Sequence, residues 1–246
     1  MLGSLLDAVA ELAPAGVLIL IALAGRGFAR WPFALAFVAL YFGDAVLLNL
    51  RDWSPWPPVM GGAWNWDGKA AALALALAAI VCLPAGVRGE IGLARAPERG
   101  VRGRLWLIGL IVVGIAAART LAFSGHQPFD PETLAFQATM PGLHEELTFR
   151  GLWWVLLLPV LDGGRAGQGR LPWGTLAVTT ILFGSVHAID LTPAGAFSFN
   201  ALFFAATAVS GLLYGLLQAI GRCVWVPVIA HAAANLAIVL VQMLVL

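Results

Sequence analysis

Charge is scarce in this 246-residue sequence. Asp, Glu, Lys and Arg make up 11% of it, against about 25% in a typical soluble domain. Lysine is the rarest of the four, present only as Lys69. Cysteine occurs as Cys82 and Cys223, both in or beside apolar segments. That gives no basis for a disulfide framework and reads as two buried structural thiols. The opening "MLGSLLDAVAELAPAG" has no Lys or Arg. It lacks the positive region of a cleaved signal peptide, so the first apolar run reads as a retained span. No basic patch with interleaved aromatics is present, which excludes nucleic acid as a partner. Internal repeats and low-complexity linkers are absent as well.

What remains is apolar. The sequence is 61% hydrophobic with a mean hydropathy of +0.89, which places it among integral membrane proteins. At roughly 20 residues per span there is room for about eight helices and short loops, with no separate soluble domain. The expected fold is an all-α polytopic bundle forming a single membrane domain over 1–246. Apolar runs fall at 12–25, 32–50, 69–87, 105–122, 133–161, 173–189, 197–220 and 224–245. They are too long and too unalternating for a barrel. The fifth run is long enough to be broken near Pro141-Gly142. Helices over 1–122 have no assigned role, whereas 133–245 carries the motifs described below. The segment "RDWSPWPPVMGGAWNWDGK" holds four tryptophans and reads as an interfacial loop.

Loop charges set an orientation. Arg26, Arg30, Arg88, Arg95, Arg99, Arg102, Arg104, Arg165, Arg170 and Arg222 fall in one set of alternate loops. Arg51, Lys69 and Arg119 fall in the other. The positive-inside rule then places both termini outside and the Arg88–Arg104 loop in the cytoplasm.

Ionisable groups inside spans cost roughly 2.5–3.5 kcal/mol each at a helix centre. Here they concentrate late in the chain: His144, Glu145, Glu146 and Arg150 in the fifth run, His187 in the sixth, His231 and Asn235 in the eighth. Asp44 and Asn49 in the second read as packing contacts between spans, and His144 has no evident role. Residues four apart share a helix face, so Glu146 and Arg150 are placed to pair. Glu145 has Phe149 at that spacing and is left without a local partner. A free carboxylate in an apolar cavity suits a general base near neutral pH. His231 and Asn235 also share a face, separated by three alanines that admit another backbone. They can donate hydrogen bonds to a developing oxyanion without carrying charge. Each pair alone is equally compatible with interhelical hydrogen bonding. Together the three helices carry the residue types needed to activate water and stabilise an oxyanion.

In this order, "EELTFR" (EExxxR), "FGSVH" (FxxxH) and "HAAAN" (HxxxN) resemble the CPBP family of intramembrane proteases, which takes its name from CAAX proteases and bacteriocin processing (also called Abi). The resemblance covers about residues 140–240. It implies a glutamate-type intramembrane endopeptidase acting on a membrane-associated protein or peptide within the lipid bilayer. It further implies that Glu145 and His187 hold and activate water, that His231 and Asn235 form an oxyanion hole, and that Glu146 with Arg150 shapes the site. No cofactor is expected. Zinc held by His187, His231 and Glu145 is the alternative, although no HExxH is present. Arg-rich, Lys-poor usage suggests a high-GC bacterial source, hence a multi-pass protein of the inner (plasma) membrane. Some bacterial relatives resemble C-terminal sorting proteases of the myxosortase type, which makes a surface or lipid-linked protein tail the expected substrate. A zinc-dependent CAAX-type prenyl protease, a non-catalytic immunity or scaffold protein of the same fold and a proton-coupled transporter are the competing readings. The last predicts an internal repeat, which is not found.

Overall fold

A computed structural model describes every residue except 1, 27, 56, 165–169, 193–194 and 246. Arg165, one of the loop arginines counted above, lies outside the described residues. The helices are α1 (Leu2–Arg26), α2 (Trp31–Leu48), a short α3 (Leu50–Trp53), α4 (Trp66–Cys82), a short α5 (Ala85–Gly89), α6 (Arg102–Phe123), α7 (Pro131–Glu146), α8 (Trp154–Leu161), α9 (Trp173–Ala188), α10 (Ala201–Gly221) and α11 (Trp225–Leu244). A π-helical stretch, Leu147–Trp153, joins α7 to α8 without a break. The protein is a helical membrane protein, and each apolar run of the sequence is mainly helical. Among the described residues, five helices are long and apolar enough to cross a membrane: Gly3–Gly25, Trp31–Leu48, Arg99–Phe123, Ala201–Gly221 and Trp225–Leu244. Shorter than these are α4, at 17 residues, and α9, at 16.

The helix of α7, the π stretch and α8 is the centre of the bundle. All residues from Leu147 to Trp153 are buried, and in α8 only Pro159 is not. A helix that is buried on all sides must be surrounded by others. The break expected at Pro141-Gly142 does not occur, and α7 runs through both. Proline removes one intrahelical hydrogen bond, and packing of the neighbouring helices outweighs that loss. Gly142 lies where α11 comes closest: a Cβ there would sit 3.0 Å from the Val228 carbonyl oxygen. The irregularity comes a turn and a half later as the π stretch, a feature that often accompanies functional sites.

Around this axis α11 packs against α6 and α7, α10 against α9, α4 against α2 and α7, and α1 against α9. One exception to the all-helical pattern follows α9. Strands β1 (Ile189–Leu191) and β2 (Phe197–Phe199) pair antiparallel, with Ile189 opposite Phe199. Part of the tryptophan-rich loop is tied to α7. Trp66 donates through Nε1 to Glu132, and Trp64 donates to Thr133 and stacks on Phe136 with ring centroids 4.9 Å apart. Gly62 permits this approach. Its φ of +89° suits glycine, and a Cβ there would run into the Glu132 carboxylate. Two sequence expectations are corrected. Cys82 is exposed on the helix surface, and only Cys223 is buried, both as free thiols. Lys69 and Arg119, counted as loop charges, lie within α4 and α6 and line a cavity inside the bundle.

Candidate active site

The cavity has a volume of about 500 Å³ and gathers the motif residues of three helices. Glu145 comes from the end of α7, His187 from α9, and His231 and Asn235 from α11. Glu146 and Arg150 stand behind them in the wall, both fully buried.

The expected i,i+4 pair is present: Arg150 Nη1 donates to Glu146 Oε1 at 3.1 Å. Arg150 also donates through Nη2 to the Gly211 carbonyl at 2.7 Å, and its guanidinium lies 4.6 Å from the centre of the Phe183 ring. This anchors α10 and α9 to the central helix through one cation. His231 turns Nδ1 to the same Glu146 oxygen, at 2.8 Å, and its ring stacks on Tyr214. A carboxylate can only accept, so Nδ1 carries the hydrogen. Nε2 therefore offers a hydrogen only in the imidazolium, with Glu146 as its counter-ion. This corrects the expectation that His231 donates without carrying charge. Asn235 donates through Nδ2 to Gln137 Oε1 at 3.1 Å, which orients the amide and leaves its second N–H unused.

Glu145 is not the unpartnered carboxylate expected from helix spacing. Lys69 Nζ donates to Glu145 Oε1 at 2.6 Å. The same ammonium lies 3.4 Å from His144 Nδ1, and His144 Nε2 lies 2.7 Å from Asp44 Oδ1. The donors are self-consistent when Lys69 gives one hydrogen to His144 and another to Glu145, and His144 Nε2–H donates to Asp44. His144 and Asp44, unexplained or read as packing in the sequence, thus hold the ammonium that holds Glu145. Asn49 bonds only locally, to the Ala45 carbonyl.

The other oxygen, Glu145 Oε2, is buried and has no hydrogen-bond partner among the described residues. It lies 3.8 Å from His187 Nε2. His187 Nδ1 donates to the Phe183 carbonyl at 2.7 Å, so Nε2 of the neutral ring carries a lone pair. Two acceptors at this separation fit one water molecule donating to both at ordinary hydrogen-bond length.

The site thus draws on α2 and α4 for Asp44 and Lys69, outside the stretch after residue 133 that carries the motifs. Lys69, Asp44 and Gln137 as site partners escaped sequence reasoning because each acts across helices. The available signal was Lys69 itself, the sole lysine of an apolar chain. Among the described residues no three His, Cys, Asp or Glu side chains are grouped to hold a metal ion. His187, His231 and Glu145 do not form such a group.

The motif residues of three helices, two adjacent glutamates, two histidines and an asparagine, thus gather in and behind one internal cavity. Residues 129–237 match the model of the Rce1-like family, described as type II CAAX prenyl endopeptidase Rce1-like. That match agrees with the resemblance drawn from the three motifs and supports a CAAX-type intramembrane endopeptidase in general. No curated protein and no solved structure matches the chain.

Proposed function

We propose that the protein hydrolyses a peptide bond in a membrane-associated protein without a metal, using water activated by Glu145 and His187. The observation that carries this reading is the pair of acceptors Glu145 Oε2 and His187 Nε2, 3.8 Å apart on the wall of the cavity. Water held there donates one hydrogen to each. Its oxygen attacks the scissile carbonyl carbon as Glu145 Oε2 takes the proton. The carbonyl oxygen becomes the oxyanion and accepts from Asn235 Nδ2–H and from Nε2–H of the His231 imidazolium. Glu145 then returns the proton to the leaving nitrogen, and the C–N bond breaks. Lys69 holds Oε1 throughout and supplies the counter-charge that a carboxylate in an apolar interior requires. Glu146 orients His231, and Arg150 keeps Glu146 in place.

The substrate is an apolar tail. Phe136, Phe183, Phe203, Ile115 and Ile238 line the same cavity as the polar groups, so an apolar segment and a hydrolytic centre share one space. We place the protein in a bacterial inner membrane, processing the C-terminal tail of a surface or lipid-linked protein. Comparing C-terminal peptides of membrane and surface proteins from cells carrying the wild-type chain or Glu145→Gln tests this. Tail fragments should appear only with the wild type. Identical C-termini in both cells would refute the assignment.

A further inference from the structure

Arg119 is a cation in the catalytic cavity with no anion of its own. It lines the cavity from α6, beside Ile115 and Ala116. Its guanidinium carbon lies 5.9 Å from the centre of the Phe203 ring, another cavity residue. No hydrogen bond or ion pair to Arg119 exists among the described residues. Among the described residues, Glu145 is the only acidic one that lines this cavity, against the two fixed cations Lys69 and Arg119. Lys69 takes that carboxylate at 2.6 Å. Glu146, behind the wall, is taken by Arg150 and His231. The cavity therefore holds positive charge in excess, and Arg119 carries it on a planar group suited to bind a carboxylate through two N–H donors.

We propose that Arg119 is a substrate-specificity residue that binds a carboxylate of the peptide entering the cavity. This rests on the hydrolytic reading of the same cavity and adds to it the charge of the fragment beyond the scissile bond. Two sources give the same chemistry: the α-carboxylate of a chain terminus, or an Asp or Glu side chain near it. The rival occupant is a phospholipid headgroup, since an arginine near a helix end can reach the membrane surface. The cavity position and the contact with Phe203 favour the peptide.

Three dansylated apolar peptides of one sequence serve as probes: a free acid, its carboxamide, and a carboxamide with glutamate as its last residue. Binding is measured by fluorescence anisotropy to the full chain with His187→Ala, which keeps the Lys69–Glu145 pair, in phosphatidylcholine nanodiscs. The free acid should bind at least about tenfold more tightly than the carboxamide, the scale of one charge-assisted pair. Adding Arg119→Leu should bring that ratio to about one. If the glutamate peptide binds as the free acid does, the side-chain source holds; if it follows the carboxamide, the terminus does. A ratio near one without Arg119→Leu, no binding of any probe, or a ratio that survives Arg119→Leu overturns the proposal. Loss of the ratio on replacing the lipid with phosphatidylglycerol assigns Arg119 to the headgroup and also overturns it. Failure of the hydrolytic reading is separate: the Arg119-dependent ratio persists while the wild-type chain cleaves none of the probes.

Discussion

Lys69 reaches Glu145 from a helix 76 positions earlier in the chain, and His144 and Asp44 fix the ammonium from its far side. Replacing it with an uncharged side chain of similar length leaves Glu145 buried without a counter-ion and free to turn from His187. Lys69→Met should lower kcat by about a hundredfold with a smaller change in KM, on the scale of lost general-base function. Lys69→Arg should recover part of the rate, because the charge remains. A purely structural role would instead lower the yield of folded protein and leave the kcat of the folded fraction intact. Behind the cavity, Arg150→Met strands Glu146 in a fully buried wall. Breaking such a pair costs about 3–5 kcal/mol, so the variant should fail to fold or melt far below the wild type in detergent. Sequence reading reached Glu146–Arg150 because its spacing is helical. It missed Lys69–Glu145 because nothing local links residues on two helices.

At the scale of elements, α7 is held at both ends by contacts with other parts of the chain. At its start Asp130 caps the helix, accepting from the backbone N–H groups of Glu132 and Thr133. Glu132 accepts from the N–H groups of Ala63 and Trp64, which hold its carboxyl below the usual carboxylate range. A depressed value in the folded state contributes stability at pH above the unfolded carboxyl value of about 4.3 and loses it as pH falls through the folded value. Wild type should therefore melt above Glu132→Gln at pH 6. The difference should shrink toward zero on acidification, and a constant difference across pH would contradict the clamp. Near its other end Gly142 admits α11. Gly142→Val should force α7 and α11 apart and remove His231 and Asn235 from the site, abolishing activity while far-UV circular dichroism stays helical. The same change at Gly86, with open space around it, should be silent. The eight apolar runs foretold the helices because burial in lipid or core demands apolar length. They did not foretell the π stretch or the hairpin after α9, whose causes lie in packing and turn geometry.

For the whole molecule, moving Lys69 and Arg119 from loops into the cavity leaves Arg51 as the only cation in one set of loops. The orientation expected from the loop charges is open to a labelling test. Gly100, in the 3-10 turn that precedes α6, and Gly125, in the loop that follows it, have open space around them and fall on opposite sides in that orientation. With Cys82→Ala and Cys223→Ala as background, Gly125→Cys should react with an impermeant maleimide in intact cells, and Gly100→Cys only after lysis. The reverse pattern would invert the topology. The helices over 1–122 had no role by sequence, and now α2 and α4 supply Asp44 and Lys69. What the sequence showed directly was the set of groups whose partners lie one turn away or within one motif. The rest depends on which helices become neighbours.

The most direct measurement is the hydrolysis of one apolar peptide by the purified full chain in nanodiscs, with products identified by mass spectrometry. Wild type should release two fragments whose masses sum to the substrate plus one water. Glu145→Gln should lower kcat by roughly 10²–10⁴, the contribution of a positioned general base. Cleavage by Glu145→Gln within a few-fold of wild type would contradict the assignment of Glu145 as the group that activates water.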